Sequence, residues 1–382
     1  MINISKLYCN LVSESDDLRY NRPTAFGPIV VYNCTARCNL RCLHCYSSSD
    51  PSCVREQLTT EQARQLLSQL PDANAPVVLF SGGEPLLRED LFELMAEARR
   101  LELRTVISTN GTLITPEVAG RLAELELSYA GISLDGQEPF HDEFRQVKGS
   151  FRMALRGMEN CRTAGLRTGL RFTITKANAT QVPAIFDIAV DTGIRRICFY
   201  HLVSSGRATD LNEQSPSLEQ TRDTVETIID KTRTLVDKDL VDEVLTVGNH
   251  ADGPYLLVRM QRESHPDFEQ ARKLLLANKG NRVGEKIACV SWDGSAYADQ
   301  FWRNYALGNI TKTPFAKIWT DEADPVLSRL RRKDTFADSR CFQCKWFPLC
   351  KGNYRFLGPD PGDAHWGNEP PCYLTDEEIG LA

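Results

Sequence analysis

Three cysteines stand close together near the start of the chain, Cys38, Cys42 and Cys45, with three and then two residues between them. Three thiols cannot all pair as disulfides, but thiolates at this spacing can bind three irons of a 4Fe-4S cluster and leave the fourth iron open to a ligand. The alternative is a zinc knuckle, which needs a fourth Cys or His at short range, and His44 has the wrong spacing for it. The trio therefore predicts a cluster with one open iron.

A second cysteine group lies near the C-terminus and has wider spacing. Four thiolates on short loops suit either a closed 4Fe-4S cluster or an all-thiolate zinc site, and the spacing alone does not decide between them. The group consists of Cys341, Cys344, Cys350 and Cys372.

Composition narrows the function classes. The 382 residues are 42% hydrophobic and 25% charged with a net charge of -6, which argues against a nucleic-acid partner because phosphate neutralisation needs an excess of Lys and Arg. No apolar run approaches the roughly 18 residues of a membrane span, and the first twenty or so residues do not form a signal peptide. The thirteen cysteines fall mostly in the two groups, which favours metal or cluster binding in a reducing compartment. We therefore expect a cytoplasmic protein with no membrane partner.

The elements that must position the cysteines alternate between strand and helix patterns. A short buried strand precedes the trio, and a capping box at Thr59 opens the first helix. Strands are predicted at 28–33, 77–80, 104–108, 129–134, 170–175 and 195–200, with a helix between each pair. Six such units predict a parallel, partial (β/α)6 barrel of α/β class, open at the side, with ligands at the C-terminal strand ends.

Four regions follow from this pattern. We expect a polar N-terminal lead at 1–27, the partial barrel at 28–210, and a helical bridging segment at 211–282 with a possible extra strand at 244–247. A turn-rich loop is predicted at 248–254 within that segment. From about 283 to 382, short apolar stretches and cysteines replace the strand-helix rhythm and indicate a small C-terminal domain.

Polar residues follow several strands directly, where a ligand would bind. Ser81-Gly82-Gly83-Glu84-Pro85 comes after the second strand, and its glycines allow a close backbone approach while Glu84 can accept from a cation. Ser108-Thr109-Asn110-Gly111 and Ile132-Ser133-Leu134-Asp135-Gly136 end the third and fourth strands. As isolated motifs these segments are also good turn formers.

Together, the trio and the Gly-Gly-Glu-Pro segment resemble radical S-adenosylmethionine (SAM) enzymes. The resemblance implies that SAM chelates the open iron and is cleaved by one electron to a 5′-deoxyadenosyl radical, which abstracts hydrogen from substrate. A reductant such as ferredoxin or flavodoxin is implied as a partner. By resemblance Gly82, Gly83, Glu84 and Pro85 bind the SAM amino group, Ser133, Asp135, Asn110 and Arg145 contact its ribose and carboxylate, and His44 packs near the adenine.

The C-terminal cysteines resemble the SPASM/twitch extension found behind many radical SAM barrels, which favours a cluster over zinc. A full SPASM domain holds a second auxiliary cluster. This chain has Cys289 and Gly308, but Thr313 and Tyr354 stand where two of its ligands should be. The resemblance therefore implies two 4Fe-4S clusters in all, the auxiliary one fully ligated, with Cys289 a buried apolar residue.

The substrate is indicated by four further segments, which resemble the radical SAM enzymes of heme d1 biosynthesis: 199–203, 248–255, 299–302 and 373–380. This implies removal of two propionate side chains from a didecarboxysiroheme-type tetrapyrrole. Two alternatives stay open, a tetrapyrrole side-chain decarboxylase of the alternative heme pathway and a SPASM-type peptide-modifying maturase. His201 and His250 are candidates to contact substrate or its iron, and Arg195, Arg196 and Arg207 to pair with its carboxylates.

Overall fold

Alternating side chains on the central strands separate an apolar core from a polar cavity wall. The computed structural model describes residues 1–11, 26–209, 215–332, 340–353 and 372–381. Val78 and Phe80 are fully buried in the core, whereas Leu79 and Ser81 on the same strand face the cavity. Phe172, on a later strand, is likewise fully buried in the core. Alternation of this kind is expected for a sheet covered by helices on one side.

In the described part of the chain, eleven strands form one sheet in the order β1-β8-β7-β6-β5-β4-β3-β2-β9-β10-β11. The strands from β8 through β9 in that order are parallel, and β1, β10 and β11 pair antiparallel at the two edges. Their bounds are β1 Ile2–Asn3, β2 Ile29–Thr35, β3 Val77–Gly82, β4 Arg104–Thr109, β5 Tyr129–Ser133, β6 Thr168–Ile174, β7 Arg196–His201, β8 Glu243–Val247, β9 Ile287–Val290, β10 Ser295–Tyr297 and β11 Gly308–Asn309.

At least one helix lies between each pair of consecutive strands from β2 to β8, and two helices lie between β5 and β6. The bounds are α1 Ile4–Tyr8, α2 Thr60–Gln69, α3 Leu91–Arg100, α4 Pro116–Glu124, α5 Glu138–Arg145, α6 Ser150–Thr163, α7 Val182–Asp191, α8 Leu218–Asp237, α9 Asp252–Arg262, α10 Phe268–Asn278, α11 Phe315–Trp319, α12 Pro325–Arg331, α13 Arg340–Gln343, α14 Phe347–Cys350 and α15 Asp376–Ile379. Thr59 caps α2 with both bonds of the predicted capping box. The six predicted barrel strands correspond to β2 through β7, which confirms the partial barrel.

Three local expectations differ from the structure. The N-terminal lead begins with an edge strand, β1, which pairs antiparallel with β8, and the Asn3 side-chain amide donates to the Glu243 carboxylate at 3.0 Å. The loop predicted at 248–254 ends early, since α9 starts at Asp252. The sheet also continues past residue 283, where β9 pairs in parallel with β2. Both edges of the barrel are therefore extended by segments outside the six predicted units.

None of the described helices combines the length and the apolar character that crossing a membrane needs.

Candidate functional site

A cleft of about 1140 Å³, counting its open mouth, lies at the C-terminal ends of the barrel strands. The three cysteines of the trio, Cys38, Cys42 and Cys45, all line it, and none is in a disulfide. The predicted trio is therefore assembled at one cavity wall, within the loop that follows β2.

Backbone contacts with the loop after β3 hold the cysteine loop in place. The Gly83 N–H donates to the Thr35 carbonyl and the Glu84 N–H to the Arg37 carbonyl, each at 2.8 Å. A Cβ on Gly83 would lie 2.0 Å from the Arg37 oxygen, so only glycine fits this approach. Gly82 and Gly83 thus serve the junction between the two loops while also lining the cleft.

The thiols of the trio need nearby positive charge in order to ionise. Burial raises the pKa of Cys38 to about 12 and also raises the pKa of Cys42. Cluster irons would supply that charge, because metal coordination deprotonates a thiol outright. The Nη1 of Arg145 lies 3.4 Å from the Cys42 sulfur and favours its thiolate form. Three free thiols on one wall, with a cation beside them, fit an iron-sulfur cluster.

Glu84 points away from the cleft and organises the loop after β4. Its carboxylate accepts from the Thr109 hydroxyl at 2.7 Å and from the backbone N–H of Asn110 at 2.8 Å and Leu86 at 3.2 Å. The side chain is fully buried, and this burial raises the pKa of Glu84 to about 7. Neither Glu84 nor the buried Pro85 lines the cleft, so their predicted contact with a SAM amino group stays a prediction.

Arg145 connects the cysteine loop to the loop after β5. Its Nη2 pairs with the Asp135 Oδ2 at 2.5 Å, and both side chains are buried. The Arg145 guanidinium holds the pKa of Asp135 below its usual range despite burial. Asp135 lies behind the wall, whereas Arg145 and Ser133 line the cleft. The structure therefore brings three of the predicted SAM-contacting residues together.

His44 and Asn110 also line the cleft beside the trio. The His44 ring stacks on Phe144 with centroids 4.7 Å apart, and burial lowers the pKa of His44 to about 4, so the ring is neutral. The Asn110 Nδ2 donates to the Asn39 Oδ1 at 2.9 Å, which ties the β4 loop to the cysteine loop. Both residues line the same cleft as the trio, and their contacts with SAM stay predictions.

Arg171 is a cleft residue that the sequence reasoning missed. It lies in β6 and lines the cleft with Thr173, two positions along the same strand face. Its guanidinium sits near the Tyr129 and Tyr200 rings and donates to the Ser108 hydroxyl at 2.5 Å. Among the described residues, no acidic side chain forms an ion pair with it. The signal was a charged residue inside an otherwise apolar parallel strand, where only a cavity can accommodate it.

The two candidate histidines occupy different places. His201 lines the cleft at the end of β7, and its Nε2 lies 2.9 Å from the Asp252 Oδ2. His250 is not among the cleft residues, and its backbone N–H donates to the Asn353 side chain at 2.8 Å. Of the two candidates, His201 lines the cleft and His250 does not, and a contact with substrate stays a prediction.

The three arginines named from the sequence have other partners. Arg195 pairs with Asp239 and Asp242 on the surface, and Arg196 pairs with Glu243 at 2.5 Å. Arg207 instead donates to the Cys42 carbonyl at 2.9 Å and to the Ser49 carbonyl at 2.8 Å. None of the three lines the cleft, so the expectation that they bind carboxylates there is not supported, and Arg207 stabilises the cysteine loop.

The second cysteine group converges on a separate pocket of about 390 Å³. All four predicted ligands line it, namely Cys341, Cys344, Cys350 and Cys372. The remaining wall is mostly apolar and includes Trp346 and Leu374. The backbone N–H of Trp346 donates to the Cys344 sulfur at 3.3 Å, as backbone groups do around cluster thiolates. Four thiols around one small pocket fit a fully ligated cluster.

Not all the residues that bear on the second auxiliary cluster of a full SPASM domain lie in the described part of the chain. Cys289 is fully buried in β9, and its sulfur accepts from the Asn33 amide at 3.4 Å, in line with a structural role. Thr313 donates its backbone N–H to the Asn309 carbonyl in a turn at 3.0 Å. Tyr354 lies outside the described residues, so the absence of that cluster stays a prediction.

The family matches include the trio and two of the four C-terminal cysteines, Cys341 and Cys344. Residues 32–188 match the Radical SAM superfamily, and residues 282–345 match the SPASM iron-sulfur cluster-binding domain. The chain is 46% identical to the Fe-coproporphyrin III synthase of Methanosarcina barkeri, covering 100% of this chain and 99% of that protein. It is 36% identical to the pre-heme d1 synthase of Dinoroseobacter shibae, over 93% and 88% of the two chains. An AdoMet-dependent heme synthase of Oleidesulfovibrio alaskensis is 29% identical over 90% and 86%.

Solved structures support the fold. SuiB of Streptococcus suis, bound to its precursor peptide SuiA, aligns with a TM-score of 0.71 at 17% identity, over 96% of this chain and 80% of that one. The protein anSMEcpe with bound AdoMet aligns with a TM-score of 0.69 at 19% identity, over 92% and 95%. Since the fold, the two cysteine sites and the full-length sequence relationships agree, the chain belongs to the radical SAM enzymes with a C-terminal SPASM iron-sulfur domain, which use SAM and 4Fe-4S clusters.

Proposed function

We propose that this enzyme removes carboxylate-bearing side chains from an iron tetrapyrrole of the didecarboxysiroheme type, with Fe-coproporphyrin III as the product. The observation that carries the proposal is the cleft beside Cys38, Cys42 and Cys45, whose wall contains a cation, Arg171, that has no acidic partner among the described residues. A half-buried guanidinium in the wall of a cleft is suited to bind a carboxylate. A tetrapyrrole of this type offers several carboxylates to such a guanidinium, and SAM offers one.

The residues of the chain have separable tasks in this reaction. When bound, SAM on the open iron supplies the 5′-deoxyadenosyl radical. Arg145 and Asp135 fix the wall beside Cys42 through their 2.5 Å ion pair. Arg171 orients a carboxylate, and the apolar part of the wall, which includes Val31 and Leu79, excludes water from the reacting carbon. The protein thus provides position and shelter for a radical reaction.

The identity of the product is supported by the degree of sequence similarity. The synthase named for Fe-coproporphyrin III is 46% identical over essentially the whole of both chains, compared with 36% for the pre-heme d1 synthase. Coproporphyrin carries propionate and methyl side chains but no acetates, so an enzyme that makes it must spare the propionates. The reaction proposed here is therefore loss of acetate side chains.

Removal of two propionates, as in heme d1 formation, is the second candidate. It is favoured by the four segments that resemble the heme d1 enzymes, one of which contains His201 and another Asp252. His201 lines the cleft, and the buried Asp252 lies behind it at 2.9 Å. The two candidates share a substrate class and differ in which side chains leave.

One experiment separates the candidates. The reconstituted enzyme is incubated anaerobically with didecarboxysiroheme, SAM and either dithionite or a reduced ferredoxin or flavodoxin, and the tetrapyrrole is analysed by mass spectrometry. Loss of two-carbon acetate units supports Fe-coproporphyrin III formation, and loss of three-carbon propionate units supports the heme d1 reaction. An unchanged tetrapyrrole with all reductants, in enzyme that still cleaves SAM, would refute both and favour the peptide-modifying alternative.

A further inference from the structure

A hydrogen-bonded chain of three side chains connects the cleft to the second cysteine pocket. His201 Nε2 lies 2.9 Å from one oxygen of the Asp252 carboxylate, and the Tyr373 hydroxyl donates to the other oxygen at 2.7 Å. His201 lines the cleft, whereas Tyr373 directly follows Cys372, which lines the second pocket. Asp252 is fully buried between them. Such a chain orients the histidine more firmly than a single surface contact does.

This arrangement fixes the tautomer of His201. A carboxylate only accepts hydrogen bonds, so in the neutral His201 ring the proton lies on Nε2 and the lone pair on Nδ1. Asp252 lies in the first turn of the eleven-residue helix α9, where the helix dipole favours an acidic side chain. The Nδ1 lone pair is then the acceptor that remains on a ring that lines the cleft and is held by the Asp252 carboxylate.

A ligand that uses this lone pair must bring a hydrogen-bond donor or a Lewis acid. Ionised side-chain carboxylates of a tetrapyrrole offer neither, but its central iron does. Histidines that bind metals commonly donate their other ring N–H to a carboxylate, the same relation that His201 has with Asp252. The other cleft histidine, His44, is stacked on Phe144 and faces the Asp135–Arg145 pair.

We infer that His201 recognises the iron of the substrate at its axial position, directly or through an iron-bound water, and that Asp252 and Tyr373 are positioning residues for it. This inference rests on the proposed function, since it needs an iron tetrapyrrole in the cleft. It adds a basis for selecting the metallated substrate over its metal-free form. It also connects substrate recognition to the backbone beside Cys372.

The test compares binding of Fe(III)-coproporphyrin III and metal-free coproporphyrin III to the reconstituted enzyme. Binding is followed by fluorescence quenching, and the iron coordination by EPR and resonance Raman spectroscopy. The wild type should bind the iron form more tightly and change its axial spectrum. Asp252→Asn should weaken binding of the iron form by about 10–100-fold, as loss of a carboxylate behind a metal-binding histidine typically does. Binding of the metal-free form should be unchanged.

Three further variants complete the test. His201→Gly should abolish the axial change, and added imidazole should restore it, which shows that the variant is folded. His250→Ala and His265→Gln should behave as the wild type, because neither histidine lines the cleft. Equal binding of both porphyrins by the wild type, or an axial change that survives His201→Gly or disappears in His250→Ala, would overturn the inference alone. Failure of the wild type to bind either porphyrin would overturn the proposed function and, with it, this inference.

Discussion

Replacing Arg145 by methionine is expected to destabilise the fold more than any surface arginine replacement. The Arg145 guanidinium pairs with Asp135 at 2.5 Å, with side-chain exposures of 8% and 1%. Methionine retains much of the aliphatic volume but leaves the Asp135 carboxylate buried without its cation. Breaking a buried ion pair from one side costs about 3–5 kcal/mol in the free energy of unfolding.

A second substitution isolates the charge from the packing. The double variant Arg145→Met/Asp135→Asn removes both charges, and the asparagine oxygen can still accept from the Thr173 N–H that now donates to Asp135 at 3.2 Å. The double variant should therefore recover about 1–3 kcal/mol of the loss in the single variant. Arg152→Met is the matched control, because Arg152 pairs with Glu138 at exposures of 69% and 37%. Its cost should lie within about 0–1 kcal/mol.

The assay is anaerobic urea unfolding of the cluster-free proteins at pH 7, followed by far-UV circular dichroism. Using cluster-free protein keeps the comparison independent of the nearby Cys42 and its iron ligation. A loss below about 1 kcal/mol for Arg145→Met, or a double variant no more stable than the single one, would refute the buried-pair reasoning.

Three other outcomes follow from the site geometry. Glu84→Gln should lower the free energy of unfolding by about 1–3 kcal/mol in urea unfolding, because its NH₂ group must face one of three donors that now point at the carboxylate; an unchanged free energy of unfolding would contradict this role. Burial lowers the pKa of His141 to about 4, so the unfolded chain takes up its proton first and stability should fall as pH drops from about 6.5 to 4, by up to about 1.4 kcal/mol per pH unit. His141→Gln, measured by urea unfolding across that range, should show a shallower slope than the wild type, and an equal slope would count against a neutral buried His141. Cys344→Ser should reduce the iron content from about eight to about four per chain while SAM cleavage to 5′-deoxyadenosine persists; retention of about eight irons would exclude Cys344 as a ligand.

The barrel and both cysteine sites could be predicted from the sequence because their signals are local. Cys38, Cys42 and Cys45 lie within one loop, and the apolar strands before and after it have a clear period. Short edge elements such as β1 lack such a period, since two residues show no alternation. Helix α9 was missed at its start because Gly253 and Pro254 are typical of turns, although proline is tolerated in the first turn of a helix.

The partners of individual side chains could not be predicted, because they come from distant parts of the chain. Glu84 matched a ligand motif, yet its carboxylate binds the backbone of a loop that follows the next strand. Arg207 was a candidate to bind carboxylates, whereas its guanidinium donates to the carbonyl of Cys42, which is 165 positions away in the sequence. Arg171 gave a usable signal, a charge in a buried strand, but only the cleft showed what that charge faces.

The most direct test of the account follows hydrogen from substrate to cofactor. Didecarboxysiroheme deuterated in its carboxylate-bearing side chains is incubated anaerobically with the reconstituted enzyme, SAM and reductant, and the 5′-deoxyadenosine is analysed by mass spectrometry. We expect deuterium in 5′-deoxyadenosine, formed together with a tetrapyrrole that has lost side chains. Deoxyadenosine without deuterium, or none formed with any reductant, would contradict the claim that the cleft performs radical chemistry on a tetrapyrrole side chain.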